Sequence, residues 1–156
     1  MISGTDLAWI DGVANLLLVE DERDIAVPLV MFLETEDHQV RHAENGQCGL
    51  DEINKKFPDL ILLDVEMPKL TGTQMAYRLL IEDCGREEIP ILLISGVNNL
   101  VEVARKVGTP YFLAKPFTFD ALAAMLKKAL SERISPNPKE LPEGKSECRG
   151  GRVSKS

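Results

Sequence analysis

Four short, uninterrupted apolar runs constrain this chain more than anything else in it: residues 16–19 (LLLV), 60–63 (LILL), 91–94 (ILLI) and 111–114 (YFLA). A strand exposed on one face alternates apolar and polar residues, whereas a strand covered on both faces stays apolar throughout. Runs this short fall far below the roughly 20 apolar residues of a membrane span. They read as strands of a parallel sheet with helices on both sides. A weaker run, residues 38–43 (HQVRHA), reads as a fifth, more exposed strand near an edge.

Segments of helical period lie between the runs. The first is expected over about residues 23–36, burying Ile25, Leu29, Phe32 and Leu33, with Pro28 costing a kink unless it falls in the first turn. The second covers about 47–57, uses Leu50 and Ile53 and is weakened by Gly49. The third covers about 73–83, and the fourth runs over 98–107 and stops at Gly108 as a C-cap. The fifth starts from Thr118 as N-cap and puts Leu122, Met125, Leu126, Ala129 and Leu130 on one face. Five strands alternating with five helices imply an α/β fold of right-handed βαβ units on a doubly wound parallel sheet.

A length of 156 residues suits one domain. The expected division is an N-terminal extension over 1–14, a folded domain over 15–134 and a flexible tail over 135–156 rich in Pro, Gly, Ser and charge. A net charge of -7 argues against coating nucleic acid or anionic membrane. Cys48, Cys84 and Cys148 are odd in number and widely spaced, which reads as free thiols in a reducing compartment. Residues 1–14 carry no basic group and no long apolar core, unlike a signal peptide, so a cytoplasmic location is expected.

In an open parallel sheet, ligands bind beyond the carboxyl ends of the strands. Glu20, Asp21 and Glu22 follow the first run, Asp64 the third, Ser95 and Gly96 the fourth, and Lys115, Pro116 and Phe117 the fifth. Each has a plain reading alone: a turn, a helix cap, an acidic first turn or a surface charge. Their arrival at one sheet edge is what those readings leave unexplained. Carboxylates packed together repel, and a hard divalent cation with oxygen ligands, magnesium above all, relieves the repulsion. Such an ion beside a carboxylate, with an ammonium and a hydroxyl opposite, suits a phosphoryl group, with Asp64 as nucleophile.

With LLLVEDE, LILLDVEMPKLTG, ILLISG and YFLAKPF in this order, the chain resembles the receiver domain of two-component response regulators over about residues 15–133. The resemblance implies a flavodoxin-like five-stranded sheet of order 2-1-3-4-5 and a phosphoacceptor at Asp64. It further implies a Mg2+ site from Asp21 directly, Glu20 through water, Asp64, and the backbone carbonyl of Glu66. Ser95, Gly96, Lys115 and Phe112 become the phosphate-binding and switch positions. Phosphorylation draws the Ser95 hydroxyl inward and frees space for Phe112, so that the fourth helix, fifth strand and fifth helix present a different partner face.

Glu20 stands where Asp is frequent and Phe112 where Tyr is frequent, while Glu66 and Val97 occupy positions that influence the lifetime of the acyl phosphate. The implied partners are a histidine kinase or histidine phosphotransfer protein and a downstream protein target, with no direct nucleic acid or membrane contact. The implied state is a monomer or a phosphorylation-dependent dimer. Residues 135–156 are too few for an output domain, so a stand-alone switch is expected rather than an enzyme, with self-phosphorylation from small phosphodonors and slow autodephosphorylation. Two other readings stay open: a pseudo-receiver that binds partners without phosphorylation, and an Asp-nucleophile phosphohydrolase.

Overall fold

The computed structural model describes residues 13–65, 74 and 88–137. Within them lie β1 (Asn15–Val19), α1 (Arg23–Thr35), β2 (Gln39–Ala43), α2 (Gly46–Lys55), β3 (Leu60–Asp64), β4 (Ile91–Ser95), α3 (Leu100–Val107), β5 (Tyr111–Ala114) and α4 (Phe119–Glu132). All neighbouring strands pair in parallel, in the order β2-β1-β3-β4-β5. This is the doubly wound, flavodoxin-like sheet. Four helices fall among the described residues, and the helix expected over about 73–83 lies outside them, apart from Gln74.

The alternation of side chains along a strand divides the core in two. Leu17, Val19, Ile61, Leu63, Ile91 and Leu93 face one side and pack with Leu50 and Ile53 of α2 and Leu100, Ala104 and Val107 of α3. Leu16, Leu18, Leu60, Leu62, Leu92 and Ile94 face the other and pack with Ala26, Leu29 and Leu33 of α1 and Leu122, Leu126 and Ala129 of α4. Every residue of β3 and β4 is buried, which is why those runs carry no polar residue before their last position. The weak run becomes the edge strand β2, only its last residue buried.

Local chemistry sets the helix ends. Asn45 Oδ1 accepts the Cys48 N–H at 2.8 Å and starts α2, and Thr118 Oγ1 accepts the Ala121 N–H at 3.0 Å and starts α4. Gly108 ends α3 at φ 83°, a left-handed value that a glycine adopts without a Cβ clash. α3 begins at Leu100, two residues later than its sequence pattern suggests, because Asn98 and Asn99 form a turn. α1 runs through Pro28, which is exposed and so takes no volume from the core.

The carboxyl-edge acidic site

β1 and β3 are adjacent and in register, Val19 opposite Leu63, so the residues that end them emerge side by side. Glu20 is fully buried and Asp64 is 3% exposed, while Asp21 lies further out. One carboxylate oxygen from each of the three falls within 4.8 Å of the others. Among the described residues no other His, Cys, Asp or Glu trio approaches so closely. The expected convergence is therefore present in space for Glu20, Asp21 and Asp64. Glu66 lies outside the described residues.

Lys115 enters from the far side of the sheet. Its backbone N–H donates to the Ser95 carbonyl at 2.8 Å, extending the β4–β5 ladder, and the Lys115–Pro116 peptide is cis. Its ammonium donates to Glu20 Oε1 at 2.9 Å and stands 3.6 Å from Asp64 Oδ2. Burial alone would lower the Lys115 pKa, but the hydrogen bond to Glu20 and the charges of Asp64, Glu20 and Glu22 outweigh it and hold the ammonium above the ordinary lysine range. Lys115 thus faces a cluster of three carboxylates. Further cationic charge would be bound favourably there.

Ser95 is buried at the end of β4, its Oγ accepting the Val97 N–H at 3.3 Å. Gly96 follows it, exposed, and a Cβ there would meet Lys115 Cβ at an ordinary 3.9 Å, so the position is not one that only glycine can fill. Phe112 is partly buried against the layer of α3, whereas Tyr111, one residue earlier, points to the opposite layer and is fully buried beside α4. The period of two in β5 thus separates the two aromatic residues.

Two contacts at the site are invisible in the sequence. His42 Nε2 donates to the Glu20 carbonyl at 2.8 Å, and the Glu22 N–H donates to Glu20 Oε2 at 3.3 Å. Together with Lys115 they hold Glu20 by its backbone carbonyl and both carboxylate oxygens. The only hint in the sequence was that His42 ends the weak run beside Ala43, in the strand that pairs with β1.

Three hard carboxylate donors at this spacing fit a divalent cation that prefers oxygen and keeps part of its water, as magnesium does. Among the described residues, no helix is long and apolar enough to cross a membrane.

The response regulator receiver domain family matches residues 16–127. The sporulation initiation phosphotransferase F of Bacillus subtilis is 30% identical over 118 residues, covering 74% of this chain and 93% of that protein. The nitrogen assimilation regulatory protein NtrX of Azorhizobium caulinodans is 34% identical over 120 residues, covering 74% of this chain but 26% of that protein. The chain spans about half the length of some other curated relatives, such as the uncharacterized transcriptional regulatory protein YkoG of Bacillus subtilis at 51%, and 9% of histidine kinase P4 of Formosa agariphila. A putative response regulator from Chloroflexus aurantiacus superposes with a TM-score of 0.71 at 28% identity, covering 76% of this chain and 98% of that one. The fold, the acidic cluster and these likenesses agree: the chain belongs to the response regulator receiver domain family of two-component signalling.

Proposed function

We propose that Asp64 is the phosphoacceptor of this receiver domain, and that Glu20, Asp21 and Asp64 with the backbone carbonyl of Glu66 hold magnesium beside it. The observation that carries this reading is Lys115 Nζ lying between Glu20 and Asp64 at the open edge of the sheet. Bound magnesium would supply charge that offsets the phosphoryl oxygens. Asp64 attacks the phosphorus in line with the bond to a donor nitrogen. The P–N bond of a phosphohistidine breaks, its electron pair returns to the imidazole, and a P–O bond forms to the Asp64 carboxylate. The Lys115 ammonium shifts from the carboxylates to the new phosphoryl oxygens without a large movement, since it already stands within 3.6 Å of Asp64.

Ser95 and the Gly96 backbone take the opposite side of the phosphoryl group. Ser95 Oγ now accepts only a long 3.3 Å bond from Val97 N–H and can turn inward at small cost. Its movement opens room toward Phe112, which repacks the surface of α3, β5 and α4, the face offered to a downstream protein. A histidine kinase or histidine phosphotransfer protein supplies the phosphoryl group, and small phosphodonors serve as substitutes. The folded unit runs over 15–134.

Titration with magnesium and beryllofluoride, which mimics the acyl phosphate, tests the site. Saturable, magnesium-dependent binding that is lost in Asp64→Asn is expected. No binding by the intact protein would return the reading to an interaction module independent of phosphorylation.

A further inference from the structure

Glu20 and Asp21 are adjacent in the chain, so one planar peptide group joins two of the three clustered carboxylates. With Glu20 held, the direction of its carbonyl sets the direction in which Asp21 leaves the sheet edge. Glu20 is 0% exposed, so its carbonyl has no access to water and needs a donor from the protein. The β1–β2 pairing ends with Val19 opposite Ala43. One residue on, the Glu20 N–H still reaches the Ala43 carbonyl at 3.0 Å, but the Glu20 carbonyl is met by a side chain, His42 Nε2 at 2.8 Å. A carbonyl oxygen can only accept, so Nε2 carries the ring proton.

We infer that His42 is a positioning residue for the divalent-cation site: by holding the Glu20–Asp21 peptide from the edge strand, it keeps the Asp21 carboxylate within reach of Asp64. This role rests on the reading of Glu20, Asp21 and Asp64 as magnesium ligands. The Glu20 carboxylate has its own holds, Lys115 Nζ at 2.9 Å on Oε1 and the Glu22 N–H at 3.3 Å on Oε2. The peptide that follows is held through the imidazole.

A buried carbonyl without a donor is unfavourable. Where the imidazole is removed, the peptide therefore turns to find another partner, and the Asp21 carboxylate swings with it. The two hard cations that favour oxygen respond differently to such a swing. Magnesium demands near-octahedral angles at short distances, whereas calcium accepts irregular coordination at longer ones. Loss of His42 thus weakens magnesium binding more than calcium binding, while a role confined to packing would weaken both alike or neither. Partners that orient metal-binding groups without touching the ion commonly contribute about ten-fold or more to affinity.

The test is titration of the full, isotope-labelled chain with magnesium chloride and, separately, calcium chloride, followed by the amide shifts at the ends of β1 and β3. His42→Leu should raise the magnesium midpoint about ten-fold and the calcium midpoint clearly less. His42→Gln, whose amide N–H has a reach similar to that of the imidazole Nε2–H, should restore the magnesium midpoint. Tyr111→Phe, a change at the other end of the sheet, should leave both midpoints unaltered. Equal rises for the two cations in His42→Leu, an unchanged magnesium midpoint, or His42→Gln as weak as His42→Leu overturns the inference. Should His42→Leu not fold, the imidazole of the unaltered protein decides. A slowly exchanging Nε2–H that shifts as magnesium is added supports the role, and an Nδ1–H ring, or one indifferent to magnesium, overturns it. In all these outcomes the unaltered protein binds magnesium and Asp64→Asn binds it more weakly. Magnesium binding absent from the unaltered protein, or undiminished in Asp64→Asn, instead overturns the reading of the carboxylates as ligands, and the role of His42 with it.

Discussion

The two ends of the sheet bury polar groups in opposite ways. At the amino end, buried side chains are tied by neutral hydrogen bonds: Thr109 Oγ1 donates to the Ile91 carbonyl at 2.6 Å and accepts the Tyr111 N–H at 3.2 Å, and His38 accepts from Ala14. The Tyr111 hydroxyl donates to Glu132 Oε1 at 3.0 Å and accepts the Ile134 N–H at 3.2 Å. At the carboxyl end, buried Glu20 and Asp64 both lie within ion-pair distance of the Lys115 ammonium, with Asp21 close by. One end is organised for stability. The other holds excess negative charge that lowers stability until a cation or a phosphoryl group changes the balance.

The largest effect expected on stability is from Lys115→Met. It removes the ammonium that buried Glu20 accepts from at 2.9 Å, and should cost about 3 kcal/mol in chemical denaturation, since breaking a buried pair costs far more than the pair contributes. Magnesium should recover part of that loss in the variant. A loss below ~1 kcal/mol in metal-free buffer would mean that the carboxylates are hydrated rather than buried.

Tyr111→Phe tests the opposite end. It removes one hydroxyl that serves two partners, and should cost about 1.5 kcal/mol in the same assay with no change in beryllofluoride binding. Altered binding would mean that the two ends are coupled through β5. Of opposite sign, Asp64→Asn should stabilise the metal-free protein by about 1 kcal/mol, as charge removal at a functional site commonly does. Destabilisation would show that Lys115 more than compensates the carboxylates.

The smallest effect concerns pH. Burial lowers the His38 pKa below its ordinary value of 6.5, against the raising effect of the Glu36 and Asp37 charges. A folded pKa below the unfolded one means that the contribution is full above about 6.5 and is lost as pH falls toward the folded value. Protonation would also forfeit the bond that Nδ1 accepts from Ala14 N–H. The pH dependence of stability in that window should flatten in His38→Gln, and an unchanged slope would locate the titrating group elsewhere.

The sheet and the cluster were legible in the sequence for one reason. Parallel strands buried on both faces write themselves as unbroken runs such as LILL, and the residue after each run must emerge at the same edge. That logic located Glu20, Asp21, Asp64, Ser95 and Lys115 without any contact being known. It could not show that Lys115 grips Glu20 directly, because the pair is 95 residues apart and each residue has several plausible neighbours at a sheet edge. Nor could it find His42, since a histidine on an edge strand carries no mark of whose carbonyl it meets. Residues 135–137 read as the start of a flexible tail, yet Asn137 returns to Gly108 through a backbone N–H that every residue type but proline shares.

The assignment of Asp64 meets its most direct test in intact mass after incubation with acetyl phosphate, with and without magnesium, for the unaltered protein and Asp64→Asn. One magnesium-dependent phosphoryl adduct is expected on the unaltered protein and none on the variant. An adduct of equal yield on Asp64→Asn would contradict it, because the carboxylate that ends β3 would then not be the acceptor.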